Sequence, residues 1–275
     1  MSEPFFIVSS GRSGTAMLHK ALSAVPEVEA QHEYMVHLIQ PLAVRRTMGL
    51  ADAREARAVL SQTHGAAMHY CERAHWGDSS NKLSWLIPDL AALFPTAKFV
   101  HLVRDGRKVA GSFFRKLADE CYDDRSTAIL RAHVEDPTRV PAPPPEKKYW
   151  WPLPRRDDPV AEAFAAFNQF ERIAWHWAEI NRVILRDLVA VPRENSLFVR
   201  LEDLRERPDT VRGLYEFLGL EFRDQHFAMF ARPHNVNRPE DKLLDQRQRA
   251  CFERIAGAMM DRLGYSSRPE YVVNY

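Results

Sequence analysis

FFIVSSGRSGTAML, residues 5–18, has the pattern of a strand, a tight turn and the start of a helix. The four apolar residues Phe5–Val8 fit a fully buried parallel strand. Apolar residues recur at helical spacing beyond the turn: Met17, Leu18, Ala21 and Leu22. A strand–turn–helix unit of this kind presents backbone N–H groups and a helix N-terminus to a phosphate. We therefore predict an anion site in the turn, where Arg12 adds a fixed positive charge.

The turn differs from the Walker A motif of P-loop nucleotide-binding proteins. That motif has the pattern GxxxxGK[ST], with the lysine on the phosphates and the hydroxyl on magnesium. Here only two residues separate Gly11 from Gly14, and Thr15-Ala16 replaces the Lys-Ser/Thr pair. A short glycine turn also occurs as an ordinary strand–helix connection with its arginine on the surface. Taken alone, the turn leaves both interpretations open.

Composition limits the class of protein. The chain has 275 residues, 45% of them apolar, and a net charge of +1, so no overall field favours nucleic acid or a membrane surface. Three widely separated cysteines suggest free thiols in a reducing compartment. The N-terminus lacks a basic leader, and no apolar stretch reaches membrane-spanning length. We predict a cytoplasmic protein without a membrane span, a nucleic-acid partner or a metal site.

A candidate general base follows the second predicted strand. Val28–Gln31 is a short strand, which places His32 and Glu33 near its carboxyl end. Ligands of open α/β sheets bind at that edge. Glu33 is therefore a candidate base, and the alternative is a solvated carboxylate that caps the next helix.

A second strand–turn–helix unit lies further along the chain. Lys98–Arg104 has the strongest strand pattern, and Asp105-Gly106-Arg107 leads from it into a helix that carries Ser112. Arg104 and Ser112 are placed to hold one phosphate, and an Arg–Asp pair that stabilises the turn is the alternative. Two units with arginine at the same edge favour a ligand with two phosphate groups.

The rest of the chain is predicted to be mainly helical, around a parallel sheet. Helices are expected at 35–48, 52–74, 85–94, 160–188, 208–218, 223–231 and 243–263, with a strand at 196–201. Residues 119–159 are expected to be irregular, with eight prolines between Pro137 and Pro159. That segment is predicted to be a substrate lid, a structural wrap or a partner surface. Arg238, before Pro239, is a possible third cationic anchor.

Together these segments resemble the sulfotransferase superfamily that uses 3′-phosphoadenosine 5′-phosphosulfate (PAPS), and most closely its tyrosylprotein and related bacterial branch. Arg12–Thr15 resembles the 5′-phosphosulfate loop, and 98–107 with Ser112 resembles the 3′-phosphate motif. Segments 200–204, 217–220 and 263–265 resemble later signatures of the family. The likeness is strong over 5–33 and 78–116, fair over 196–265 and absent over about 119–159.

The resemblance implies a fold, a cofactor and a set of site residues. The fold is α/β, a central parallel sheet flanked by helices as in P-loop kinases, in one sulfotransferase domain over 1–275 with a Pro-rich insertion at about 119–159. PAPS is the donor and adenosine 3′,5′-bisphosphate the product, with no metal required. The implied cofactor-binding residues are Gly11, Arg12, Ser13, Gly14, Thr15, Ala16, Arg104, Ser112 and Arg238. The implied catalytic residues are Glu33 as the base, Arg12 at the leaving group and Lys82 near the bridging oxygen.

Some features depart from the family pattern or leave alternatives. The spacing from Lys82 to Arg104 is shorter than in the family, and His32 is a minor rival to Glu33 as the base. A magnesium-dependent kinase and a non-catalytic nucleotide-binding protein are the alternative functions. The acceptor is a hydroxyl on a small molecule, a glycan or a peptide, and the oligomeric state is open. An aromatic pocket for it is conjectured from Tyr149, Trp150, Trp151, Trp76 and the His residues near 32–37.

Overall fold

The computed structural model describes residues 2–231 and 243–270 and contains a five-stranded, wholly parallel sheet. The strands are β1 (Glu3–Ser9), β2 (Val28–His32), β3 (His75–Ser79), β4 (Lys98–Val103) and β5 (Ser196–Arg200). Their spatial order is β2-β3-β1-β4-β5, so the first strand lies at the centre. There Ile7 pairs with Ser79 on one side and with Val100 on the other. The predicted α/β class with a central parallel sheet is confirmed.

Helices cover both faces of the sheet. They are α1 (Thr15–Ser23), α2 (Val36–Thr47), α3 (Ala53–Leu60), α4 (Ala66–Tyr70), α5 (Ile87–Leu93), α6 (Gly106–Lys116), α7 (Asp124–Glu135), α8 (Ala161–Ala166), α9 (Gln169–Asp187), α10 (Leu201–Glu206), α11 (Pro208–Leu218), α12 (Asp224–Ala231) and α13 (Gln246–Arg262). Successive side chains of β1 alternate between the faces. Phe6 and Val8 pack with α2, α3, α5 and α9, whereas Phe5 and Ile7 pack with α1, α10, α11 and α12. This explains why the four central residues of the strand, Phe5–Val8, are all apolar.

The sequence-based prediction missed β3. The strand HWGDS contains only one residue with strong β propensity, and the predicted helix over 52–74 runs almost up to it. That helix is also interrupted, because Ser61–Gly65 forms a π-helical turn between α3 and α4. Gly77 of β3 lies against the ring of Phe5, where a Cβ would come within 2.2 Å of the ring carbons. The strand therefore depends on its neighbours rather than on local propensity.

The helix predictions also differ from the structure at three other places. The single helix expected over 160–188 is divided into α8 and α9, because Asn168 and Glu171 form a capping box that starts a new helix. Residues 119–159 are not irregular throughout, since α7 begins after an N-cap at Asp123. The short helix α10 was not predicted.

The Pro-rich segment 137–159 wraps over the body of the fold. Buried Gln40 of α2 donates hydrogen bonds to the carbonyl oxygens of Lys147 and Trp150, at 3.0 and 2.6 Å. The indole of Trp151 donates to the carbonyl of Glu120 at 2.7 Å. The structural-wrap prediction therefore fits this segment. Of the residues conjectured to form an aromatic pocket, Trp76, Trp150 and Trp151 are buried in the core.

The described residues were also searched for membrane spans and metal sites. Among residues 2–231 and 243–270, no helix has the length and apolar character needed to cross a bilayer. The same ranges contain no cluster of three or more His, Cys, Asp or Glu side chains arranged to bind a metal ion.

Candidate active site

Four loops meet at the carboxyl edge of the sheet. Ser10–Gly14 follows β1, Glu33 follows β2, Ser80–Lys82 follows β3 and Arg104 follows β4. Because all the strands are parallel, their carboxyl ends lie at one edge, which is where open α/β sheets bind ligands. The topology therefore brings together residues that are distant in sequence.

The loop Ser10–Gly14, here called the anion loop, has an unusual backbone. Gly11, Arg12 and Gly14 have φ angles of 79°, 54° and 96°, all in the left-handed region. Arg12 adopts this conformation without being glycine, a strain that is typical of functional sites. The Ser10 and Ser13 hydroxyls form a 2.9 Å hydrogen bond with each other. Within the described ranges, the N–H groups of Arg12, Ser13 and Gly14 donate to no acceptor, as an anion-binding loop requires.

Gly14→Ala is expected to disrupt the anion loop. The φ of 96° disfavours any side chain, and a Cβ there would lie 2.6 Å from Cδ1 of Leu201. Strain of this kind costs about 1–3 kcal/mol, so the urea midpoint should fall and anion binding should be lost. The matched control is Gly213→Ala within α11, where a Cβ meets nothing within 4 Å. That change should stabilise the fold by roughly 0.4–1 kcal/mol, and equal effects of the two would contradict the role of Gly14.

The two arginines predicted to bind phosphate lie together. Nε of Arg12 donates to Oγ of Ser112 at 3.0 Å, and Nη1 of Arg104 donates to the carbonyl of Arg12 at 2.9 Å. Arg104, at the end of β4, is thus joined to the anion loop directly, and Ser112 of α6 is joined to it through Arg12. The Arg–Asp pair that was the alternative interpretation of this turn does form, but between Arg107 and Asp105 at 2.7 Å, so it does not occupy Arg104.

The cationic group fits a phosphorylated ligand. Nε of Arg104 is buried and has no hydrogen-bond partner among the residues that the structure describes. Burial lowers the pKa of Arg104; the carboxylate of Glu202 opposes this shift, and the neighbouring cation Arg12 adds to it. A bound anion would satisfy the orphaned donor and relieve the repulsion between the two guanidinium groups.

Glu33 lies between two lysines. Nζ of Lys82 donates to Oε1 at 2.5 Å, and Nζ of Lys147 contacts Oε2. Burial of the Glu33 carboxyl by itself raises its pKa, but the charges and hydrogen bonds of the two lysines outweigh burial and lower the pKa to about 2. Burial lowers the pKa of Lys82, and Glu33 partly offsets that shift. The carboxylate is therefore ionised and strongly held.

Buried polar groups of β3 hold the backbone at Glu33 and Tyr34. Glu33 has a φ of 56°, and its N–H donates to the carbonyl of Ser79 at 3.3 Å. The next N–H, of Tyr34, donates to Oδ1 of Asp78, whose Oδ2 lies 3.3 Å from Nε2 of His64. Both Asp78 and His64 are fully buried, and His64 belongs to the π-helical turn. No local sequence signal links these two residues, which are 14 positions apart.

Most of the predicted site residues are brought together. Glu33 accepts a hydrogen bond from Lys82 at 2.5 Å, and it is close enough to Arg12 to oppose the lowering of the Arg12 pKa by burial. The ring of His32 instead bonds through Nδ1 to the carbonyl of Ser79 at 2.8 Å. Arg238 lies outside the described residues. Lys147 was missed, although it belongs to the Pro-rich segment for which a lid was one of the predictions.

A sequence comparison decides the family. Residues 4–140 match the model of the sulfotransferase family, and this range includes the anion loop, Glu33, Lys82, Arg104 and Ser112. Over residues 4–140 the chain belongs to the sulfotransferase family. It is therefore an enzyme of the sulfotransferase type, with the P-loop-kinase-like fold of that family. Curated protein sequences provide no match to it.

Solved sulfotransferases share the fold across nearly the whole chain. A sulfotransferase from Alicyclobacillus acidocaldarius is 17% identical, with a TM-score of 0.55 over 96% of this chain and 95% of that one. The sulfotransferase domain from the curacin biosynthetic pathway is 16% identical, with a TM-score of 0.51 over 94% and 98%. The sulfotransferase domain of the Synechococcus PCC 7002 olefin synthase is 16% identical, with a TM-score of 0.52 over 94% of both chains.

Proposed function

We propose that this sulfotransferase moves a sulfuryl group from PAPS to an acceptor hydroxyl, with Glu33 as the general base. The observation that carries the proposal is the convergence of Arg12, Lys82 and Glu33 at the anion loop. Two cations and one carboxylate at a single edge provide charge for a departing phosphate and a proton acceptor for an attacking hydroxyl.

The donor nucleotide would be held at two places. The N–H groups of Arg12 to Gly14, and those of the α1 N-terminus at Thr15 and Ala16, would bind its 5′-phosphosulfate. Arg104 and Ser112 would bind its 3′-phosphate, with Arg238 as a further contact from outside the described residues. The orphaned Nε of Arg104 supports this assignment.

The protein supplies positioning and charge. When bound, PAPS provides an activated sulfuryl group whose transfer is in-line, much as phosphoryl transfer is. Arg12 and Lys82 would stabilise negative charge on the departing phosphate. The sulfuryl group carries less charge than a phosphoryl group, so we propose that no metal ion is needed.

Glu33 must change partners before it can act as a base. A carboxylate with a pKa of about 2 accepts a proton poorly, because an efficient general base has a pKa nearer to the working pH. The 2.5 Å contact with Lys82 is one of the two that lower this pKa. Movement of Lys82 to the leaving phosphate would therefore stabilise the leaving group and make Glu33 more basic at the same time.

We further propose that residues 1–275 form one domain and that the enzyme works in the cytoplasm. All three cysteines lie in the described ranges and are free thiols, which fits a reducing compartment.

The proposed transfer is tested by following release of adenosine 3′,5′-bisphosphate from PAPS in a mixture of phenols, sugars and tyrosine peptides. We expect release that depends on the acceptor and is the same in EDTA as in magnesium. Phosphorylation of an acceptor from magnesium–ATP, without any release from PAPS, would contradict the proposal.

A further inference from the structure

A second lysine holds Glu33 from a part of the chain that the family match does not include. Lys147 lies beyond the matched residues 4–140, in the Pro-rich segment, and its ammonium contacts Oε2 of Glu33. Its backbone carbonyl is held by Gln40 at 3.0 Å. The backbone of Lys147 is thus anchored, while its side chain remains 39% exposed. This places one cation at the solvent side of the proposed base.

The contact creates a problem of charge for catalysis. Lys82 can leave Glu33 for the phosphate of the donor, but Lys147 then still holds the carboxylate. Lys147 lowers the pKa of Glu33 both by its hydrogen bond and by its charge. As long as that contact persists, Glu33 accepts a proton from a hydroxyl poorly. A productive complex therefore needs Lys147 to leave Glu33, and an anionic group on the acceptor would give its ammonium a new partner.

We propose that Lys147 selects the acceptor, by binding an anionic oxygen group that the acceptor carries close to its reacting hydroxyl. The inference rests on the proposed function of Glu33. The anionic group is a carboxylate, a phosphate or a sulfate, each of which forms charge-assisted hydrogen bonds with an ammonium group. A neutral alcohol leaves Lys147 on Glu33, whereas an anionic acceptor takes Lys147 and releases the base.

The start of α2, which closely follows Glu33, suits such an acceptor. Met35 and Leu38, two and five residues after Glu33, are 45% and 51% exposed, and they give the acceptor an apolar surface to pack on. Helix α2 begins at Val36 and has no acidic residue in its first turn, so the positive end of its dipole also favours an anion here.

The reaction balances in this arrangement. The acceptor oxygen forms the new O–S bond, and the bond between sulfur and the bridging oxygen of the donor breaks. That oxygen keeps the electron pair as part of the product phosphate, and the hydroxyl proton passes to Glu33. Lys147 forms no covalent bond and changes only its ionic partner.

The proposal is tested with matched acceptor pairs that differ in one anionic group. The pairs are 4-hydroxyphenylacetate and its amide, N-acetyltyrosine and its amide, and glucose 6-phosphate and glucose. Wild-type kcat/KM should favour the anionic members by about tenfold or more, the size of one charge-assisted contact. Lys147→Met should lower kcat/KM for the anionic members and raise it for the neutral ones, because Glu33 is then free. A merely structural role would lower both.

Two further variants sharpen the test. Lys148→Met, next in sequence and paired with Glu146 at 3.5 Å, should leave the preference unchanged. Lys147→Arg should retain it. An unchanged preference in Lys147→Met, a wild-type preference for the neutral members, or no turnover of any pair by an enzyme that binds adenosine 3′,5′-bisphosphate would each overturn the proposal. Failure to bind that nucleotide would instead reject the proposed function itself.

Discussion

Glu33→Gln should reduce kcat by roughly 10²–10⁴-fold, the usual contribution of a general base. Its affinity for adenosine 3′,5′-bisphosphate should stay the same or rise. The substitution removes the carboxylate that holds Lys82, and a released ammonium is free to bind the phosphate. Single-turnover kinetics with PAPS and calorimetric titration with the bisphosphate separate the two effects.

The matched control for Glu33→Gln is Glu29→Gln, on the strand β2 that Glu33 follows. Glu29 lies 3.3 Å from the amide of Gln31 and contacts neither lysine, so this variant should behave as wild type. Full turnover in Glu33→Gln would remove Glu33 from the mechanism. Loss of turnover together with loss of bisphosphate affinity would indicate a damaged fold rather than a missing base.

Arg104→Ala should weaken binding of adenosine 3′,5′-bisphosphate by about 10–100-fold, while the affinity for 5′-AMP changes much less. A hydrogen bond to a charged group contributes about 1.5–3 kcal/mol, and 1.4 kcal/mol is about tenfold in affinity. Ser112→Ala should weaken binding of the bisphosphate by a smaller factor, because it removes only a neutral hydroxyl. Calorimetric titration of both nucleotides against both variants measures the selectivity directly.

Arg107→Ala is the matched control for Arg104→Ala. It removes a cation from the same turn, but one that Asp105 already pairs at 2.7 Å, so the ratio of the two affinities should not change. An equal loss of affinity for the bisphosphate and for 5′-AMP in Arg104→Ala would contradict the 3′-phosphate assignment. It would point instead to the contact between Arg104 and the carbonyl of Arg12, which supports the whole anion loop.

Local signals made much of the fold predictable. The units 5–18 and 98–112 combine an apolar strand with a turn and an amphipathic helix, and all three signals depend on neighbours in sequence. Helix α11 was predicted with its bounds, from Pro208 at its start to Gly219 with a φ of 81° at its end. The same local rules failed at β3, where the strand is stabilised by Phe5 and by the buried Asp78–His64 pair.

The sequence predicted those residues of the candidate site that belong to short local motifs. Arg12, Arg104 and Ser112 follow strands whose patterns are clear, so their place at one edge follows from a parallel sheet. The contact between Lys147 and Glu33 joins residues 114 positions apart, and no periodicity links them. Their meeting depends on the path of the Pro-rich segment over α2, which Gln40 fixes through two carbonyl groups.

Calorimetric titration without magnesium, comparing adenosine 3′,5′-bisphosphate with 5′-AMP and ATP, tests the central claim most directly. The claim is that the anion loop and Arg104 form one site for a nucleotide phosphorylated at both positions. The structure predicts metal-independent binding of the bisphosphate, much tighter than that of the other two nucleotides. A preference for ATP that requires magnesium, or no binding of any of the three, would contradict it.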